Sequence, residues 1–212
     1  MTNESKAAFV NAITFARLPL IFFWAFLAVW HEFSRSGALV VASALAMLLA
    51  GLTDLWDGKL ARKWGVVSSL GKLADPLMDK VFYIVAFPTL LWQILHQGDS
   101  EVHALAMLAF TVIYMLRDTW VTFLRAVGAS HGADGAAMWL GKVRTALSFP
   151  GAGWVYAYLA LRRDYFPSSW YGPWLYTCYA VEAFLALLTI YSLFSYTRAY
   201  APHLSAALRP TH

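Results

Sequence analysis

The chain has 212 residues, of which 60% are hydrophobic and 13% charged, with a formal net charge of +4. A soluble domain is about 25% charged, so part of this protein's surface must have lipid as its solvent, which argues against a water-soluble globular protein. Basic residues flank apolar runs and form no continuous tract, so no nucleic-acid partner is expected.

The first eight residues are polar and lack a basic segment leading to an apolar core and a small-residue cleavage site, so no secretory signal is expected. Glu4 to Ala16 is expected to begin as an interfacial helix. Six apolar stretches lie near 9–30, 37–58, 73–96, 103–126, 139–161 and 172–196. Each has about the length a helix needs to cross a bilayer. Backbone groups in lipid must be bonded internally, so these are helices and not open strands. The links are mostly short, so neighbours run antiparallel. The expected fold is all-α, a polytopic integral membrane protein with six transmembrane helices in a single domain, 1–212. Cys178 is the only cysteine, so no intramolecular disulfide forms, and it is expected to pack as a small hydrophobe.

Lys and Arg placement predicts orientation. Lys6, Arg17, Lys59, Arg62, Lys63, Lys72, Lys80, Arg117, Arg125, Lys142, Arg144, Arg198 and Arg209 fall on one side, and only Arg35, Arg162 and Arg163 on the other. The first side, with both termini, is expected to be cytoplasmic.

The end of the second stretch reads Asp54-Leu-Trp-Asp57-Gly58-Lys-Leu-Ala61-Arg62, and the third opens Gly71-Lys-Leu-Ala-Asp75-Pro-Leu-Met-Asp79. Asp54, Asp57, Gly58, Ala61 and Arg62 share one helical face, as do Gly71, Asp75 and Asp79. A short polar turn joins the two helices, so these faces can meet near the membrane surface. Four carboxylates gathered there cannot all stay ionised without cations, because like charges repel and burial disfavours the charged form. No Cys or His cluster accompanies them to suggest zinc, and oxygen ligands suit Mg²⁺ or Mn²⁺. A metal pair about 4 Å apart can clamp phosphoryl oxygens during displacement. Gly58 and Ala61 leave that face bare for close approach, and Arg62 adds a fixed positive charge suited to a phosphate.

The pattern D-x2-D-G-x2-A-R-x8-G-x3-D-x3-D resembles the signature of the CDP-alcohol phosphotransferase family at every fixed position. The opening Asn11-Ala-Ile-Thr14-Phe-Ala-Arg17 is similar to that family's N-x-x-T-x-x-R. The resemblance implies a six-helix membrane fold, a homodimer and an active site open to the cytoplasm. It implies two Mg²⁺ or Mn²⁺ ions on Asp54, Asp57, Asp75 and Asp79, with Asp79 also the general base. It implies a CDP-lipid site, for CDP-diacylglycerol in the membrane, that draws on Asn11, Thr14, Gly58, Ala61, Arg62 and Gly71; Ser68 and Ser69, from their place in the turn between the two aspartate helices, are also expected to reach a phosphate there. From the residues alone, Asn11 and Thr14 equally suit a cap on the first helix.

Two further segments bear on the acceptor. Arg117 and Arg125 lie on one face of the fourth helix, and Gly141-Lys142-Val-Arg144-Thr145 opens the fifth. Arginines in or beside an apolar span are costly and are expected to be partnered. Arg117, Arg125, Lys142 and Arg144 together suit an acceptor that carries its own phosphate. Alternatively, Lys142 and Arg144 serve the positive-inside bias or pair with Asp118 and Asp134. The two segments are similar to the bacterial phosphatidylglycerophosphate synthase branch of the family, which implies glycerol 3-phosphate as acceptor. The branch pattern T-x-x-Q is replaced here by Thr145 and Ser148, and phosphatidylinositol-phosphate and cardiolipin synthases remain alternatives. A divalent-cation transporter is the reading from a different class. It would place acidic residues on several spans near the midplane, and Glu182 is the one such carboxylate, with no evident partner.

His96, His103 and His131 are expected on solvated surface. Trp30, Trp92, Trp170 and Tyr171 suit interfacial belts. Pro150, with Gly151 and Gly153, is expected to bend the fifth helix and open a cavity. After residue 160 little chemistry is expected.

Overall fold

The described residues of this computed structural model are 2–98, 100–132 and 139–208, with the side chains of Ser69, Lys72, Leu73 and Asp75 outside that set. Helix α1 spans Asn3–Ser34, α2 Gly37–Trp64, α3 Ser69–Gln97, α4 Glu101–Ser130, α5 Trp139–Tyr165 and α6 Tyr171–Ala207, with a 3-10 turn at Ser168–Trp170. The six expected helices are therefore present, several of them longer than their apolar stretches. α1 absorbs the interfacial segment expected at Glu4 to Ala16, because Thr2 caps it by accepting from the Ser5 N–H at 3.2 Å. Asn11 and Thr14 are thus interior to α1 and cap nothing.

Local signals end the helices. Gly65 (φ 64°) and Gly98 (φ 59°) close α2 and α3 in the left-handed region that glycine enters without a Cβ clash. Ser68 and Ser100 then cap α3 and α4 through the N–H groups of Gly71 and His103. The second of these links returns α4 beside α3, whereas α2 and α3 both pack closely on α1. α4 packs on α6, and α5 on α6, α3 and α2.

Among the described residues, five helical segments are long and apolar enough to cross a bilayer: Asn3–Ser34, Gly37–Trp64, Pro76–Gln97, Glu101–Ser130 and Ser168–Ala207. α5 does not meet that test of composition, although its 27 residues extend about 40 Å. Three of its polar residues are turned inward: Arg144, Ser148 and Arg162 are all buried.

The core is aromatic. Trp24 meets Tyr156 edge-on, Phe82 packs on Phe149, and Tyr83, Phe87, Phe110 and Tyr114 form one cluster between α3 and α4. Cys178 is fully buried in this core, as expected. Large apolar side chains such as Phe22, Phe26, Leu45, Leu48, Leu105, Leu116, Leu187 and Phe194 are exposed. An apolar surface of that extent is costly in water and suits acyl chains. Trp30 and Trp170 are exposed near helix ends, where an interfacial belt would place them.

Candidate active site

The aspartates gather around one arginine. Arg17 of α1 is buried, and its Nη2 lies 2.7 Å from Asp54 Oδ1 and 3.1 Å from Asp57 Oδ2. Its Nη1 lies 3.4 Å from Asp79 Oδ1. Asp57 is the buried member and has further partners: Thr14 Oγ1 donates to Oδ2 at 2.8 Å, and the Gly58 N–H donates to Oδ1 at 2.5 Å. The side chains of Asp54 and Asp79 stay 43% and 37% exposed. Helical spacing aims Asp54 and Asp57 from α2 while α3 supplies Asp79. Arg17 and Thr14 reach them from α1, one turn apart. The side chain of Asp75 lies outside the described set.

A cavity of about 690 Å³ opens beside this group. Arg17, Asp54, Asp79 and Lys80 line one part of it, and Arg117, Asp118, Arg125, Lys142, Arg144 and Tyr196 another. All four basic residues expected at an acceptor site are therefore brought together. Asp118 organises two of them. Its Oδ1 accepts from Arg117 Nη1 at 2.9 Å and from Arg144 Nη2 at 2.5 Å. Arg144 thus has the carboxylate partner considered for it; Asp134 lies outside the described residues. Arg117 also donates from Nε and Nη2 to Ser192 Oγ and lies over the Tyr196 ring. Arg144 lies 4.0 Å from the Tyr114 ring centroid, and its buried Nε and Nη1 have no hydrogen-bond partner among the described residues. Lys142 and Arg125 complete the basic rim, Lys142 being exposed.

The residues expected to bind the CDP-lipid do not line this cavity. They form two small groups beside the carboxylates. Ser68 Oγ donates to Asn11 Oδ1 at 2.9 Å while accepting from the Gly71 N–H, also at 2.9 Å. A Cβ on Gly71 would come within 3.1 Å of Ser68 Oγ and 3.3 Å of Asn11 Oδ1, so this junction of α1 and α3 is tight. The exposed Arg62 guanidinium lies against Gly58, with Ala61 on the same face of α2. Thr14 belongs with the aspartates through Asp57.

The sequence matches the CDP-alcohol phosphatidyltransferase family over residues 8–195. The chain belongs to this family. It is similar to the CDP-diacylglycerol--glycerol-3-phosphate 3-phosphatidyltransferase of Salmonella choleraesuis (strain SC-B67), 29% identical over 159 residues, which are 75% of this chain and 78% of the relative. The protein of the same name from Escherichia coli (strain K12) is 29% identical over 158 residues, 74% and 78% of the two chains. As a CDP-alcohol phosphatidyltransferase, the protein is a membrane-embedded transferase enzyme of phospholipid biosynthesis.

The family implies divalent metals, and the donor chemistry here fits them. All the described ligand candidates are hard carboxylate oxygens, two of them accessible from the cavity. Three carboxylates against one guanidinium leave an excess of negative charge that a divalent ion would offset. Among the described residues no three acidic, His or Cys side chains converge on one point; the carboxylates surround the guanidinium instead.

Several roles escape the sequence. Arg17 counted only as a motif position and a topology charge, yet it holds three aspartates. Asp118 counted only as a possible ion-pair partner. Ser192 and Tyr196 lie in the segment where little chemistry was expected, and both contact Arg117. His103 is not on solvated surface: it is buried in α4, and its Nε2 lies 3.0 Å from Glu182 Oε1. Glu182 therefore has a partner on the neighbouring helix. His96 and His131 are exposed as expected. Arg162 is buried and donates to Gln97 Oε1 and the Tyr158 hydroxyl, so it is no loop charge.

Proposed function

We propose that the protein transfers the phosphatidyl group of CDP-diacylglycerol to glycerol 3-phosphate, forming phosphatidylglycerophosphate and CMP. The observation that carries this reading is the single cavity in which Asp54 and Asp79 share walls with Arg117, Arg125, Lys142 and Arg144. The carboxylate end suits a diphosphate bound with divalent metal, and the basic end suits an acceptor with its own phosphate. A serine or choline acceptor would not call for that basic end. The names of the similar bacterial proteins favour glycerol 3-phosphate over inositol phosphate.

In this mechanism Asp54, Asp57, Asp75 and Asp79 would hold two Mg²⁺ or Mn²⁺ ions. Bound there, the ions would polarise the phosphorus and offset charge on the departing CMP. The Asn11, Ser68 and Gly71 junction and the Gly58, Ala61 and Arg62 face receive the CDP portion, while the acyl chains stay in the bilayer. Arg144 and Lys142 grip the acceptor phosphate, and Arg117, fixed by Asp118 and Ser192, sets the position of Arg144. Asp79 takes the proton from the primary hydroxyl of glycerol 3-phosphate. That oxygen attacks the lipid-bearing phosphorus, and the bond to the CMP oxygen breaks, so CMP leaves with the electron pair. Holding the hydroxyl in line is a large part of the rate gain.

The membrane placement belongs to the same proposal. Lys6, Lys59, Arg62, Lys63, Lys142 and Arg198 flank the site end of the bundle, so the positive-inside bias turns the site to the cytoplasm in a cell (inner) membrane. A homodimer completes the reading, on family likeness.

Purified protein given radiolabelled CDP-diacylglycerol with glycerol 3-phosphate, inositol 1-phosphate, serine or phosphatidylglycerol in parallel decides the acceptor. Product is expected with glycerol 3-phosphate alone. Preferential turnover of any other acceptor overturns the assignment.

A further inference from the structure

The carboxylate cluster has a feature that the reaction scheme does not use: it is already organised around a cation, and that cation belongs to the chain. Arg17 is 3% exposed and reaches three carboxylates from two other helices with one guanidinium, at 2.7, 3.1 and 3.4 Å. The carboxylates do not converge on another point among the described residues. Asp54, Asp57 and Asp79 are therefore arranged around the guanidinium fork that contacts all three.

The three do not depend on Arg17 equally. Asp57 is buried and keeps the Thr14 hydroxyl and the Gly58 N–H whatever Arg17 does. Asp54 and Asp79 are partly exposed on the cavity side, and their contacts to Arg17 tie them to Asp57. A spherical ion placed among these oxygens would lie within a few ångströms of the guanidinium, where like charges repel strongly at the low effective dielectric of a membrane protein. Ion and guanidinium cannot share the position. Arg17 itself lines the cavity, so it has space to move into, and that space is where an anionic diphosphate is proposed to lie.

We infer that Arg17 is a built-in counter-cation: it holds the carboxylates in the metal-free protein, a divalent ion displaces it, and the displaced guanidinium turns to the phosphate oxygens of the donor. The inference rests on the proposed metal reading of the aspartates. Two consequences follow from charge competition. Removal of the guanidinium should tighten ion binding in the absence of lipid substrate. It should also weaken the metal-free fold, because the buried Asp57 carboxylate loses its counter-charge. A residue that simply braced the ligands for the metal would act in the opposite sense on binding.

The test uses full-length protein in detergent and Mn²⁺ alone as probe. Binding is counted from the spectrum of free Mn²⁺, and unfolding is followed with EDTA and with Mn²⁺. Arg17→Gln should bind Mn²⁺ at least about tenfold more tightly than wild type, while its midpoint in EDTA falls and the gain on adding Mn²⁺ widens. Arg17→Lys keeps a charge but not the fork that spans three carboxylates, so its affinity should lie between the two. Mn²⁺ binding to folded Arg17→Gln that is no tighter than wild type overturns the inference. If Arg17→Gln does not fold, Arg17→Lys decides alone, and affinity no tighter than wild type again overturns it. Failure of wild type and variants alike to bind Mn²⁺ overturns the metal reading beneath it.

Discussion

Arg117 and Arg144 share one carboxylate oxygen yet have different capacity to bind anything else. Nε, Nη1 and Nη2 of Arg117 are all engaged by Ser192 and Asp118. Arg144 spends Nη2 on Asp118 and keeps Nε and Nη1 without hydrogen-bond partners among the described residues. The phosphate of the acceptor should therefore depend on Arg144 directly and on Arg117 through it. Replacing Arg144 or Lys142 with Gln should raise the KM for glycerol 3-phosphate, leaving that for CDP-diacylglycerol nearly unchanged. A charge-assisted contact is worth about 1.5–3 kcal/mol, so the rise should be roughly ten- to a hundredfold. Arg144→Lys should recover only part, because a point charge does not replace a fork. Steady-state kinetics with each substrate varied in turn checks this, and an unchanged acceptor KM would leave these residues with a topological role only. Each Asp→Asn change at 54, 57, 75 or 79, like treatment with EDTA, should abolish most activity. Full activity in metal-free buffer would remove the aspartates from the chemistry.

Between elements, two close contacts carry opposite expectations. At the start of α5, a Cβ on Gly141 would meet the Tyr196 hydroxyl at 2.8 Å and Arg117 Nη2 at 3.2 Å. Gly141→Ala must push α5 away from α4 and α6 or displace both side chains. The overpacking should cost about 1–3 kcal/mol and disturb the acceptor end, so a lower unfolding midpoint should come with a higher acceptor KM. The His103–Glu182 pair joins the same α4 and α6 at the other end of the bundle. Glu182→Leu removes one partner of a buried imidazole, and single interhelical hydrogen bonds in membranes average about 0.6 kcal/mol. A small drop in midpoint with both KM values unchanged is expected in a thermal-shift and kinetic comparison. A change in either KM would mean that the far end of the bundle communicates with the site.

For the molecule as a whole, the charge bias and the helix order make one claim about sidedness. Lys63 is exposed at the end of α2 nearest the aspartates, and Ser168 is exposed in the turn before α6 at the opposite end. With Cys178 fully buried, a single introduced cysteine can be read without removing it. In intact cells an impermeant maleimide should label Ser168→Cys from outside and should reach Lys63→Cys only after the membrane is opened. External labelling at position 63 would invert the topology. The bundle also explains why acidic residues in the spans need not mark an ion path. The aspartates sit at one end with Arg17, while Glu32 and Glu182 sit at the other, held by Gln93 and Gln97 and by His103.

The class of fold, the number of helices and the aspartate face were determined by the sequence alone, because each rests on local regularities. Apolar runs of bilayer length and carboxylates at helical spacing need no knowledge of distant residues. Even α5 was legible, near 139–161, although its inward-facing Arg144, Ser148 and Arg162 dilute the apolar signal. What the carboxylates touch was decided by tertiary structure. Arg17 is separated from Asp57 by 40 residues and from Asp79 by 62, and His103 from Glu182 by 79. Periodicity tells which side of a helix is polar, but not which polar side faces it. In a chain whose lipid-facing surface is as apolar as its core, a charged residue late in the sequence looks misplaced until the partner that neutralises it is seen. Burial of Arg117 against Ser192 and Tyr196, and of Arg162 against Gln97, follows from α4 lying on α6 and α5 on α3, and no local pattern encodes those neighbours.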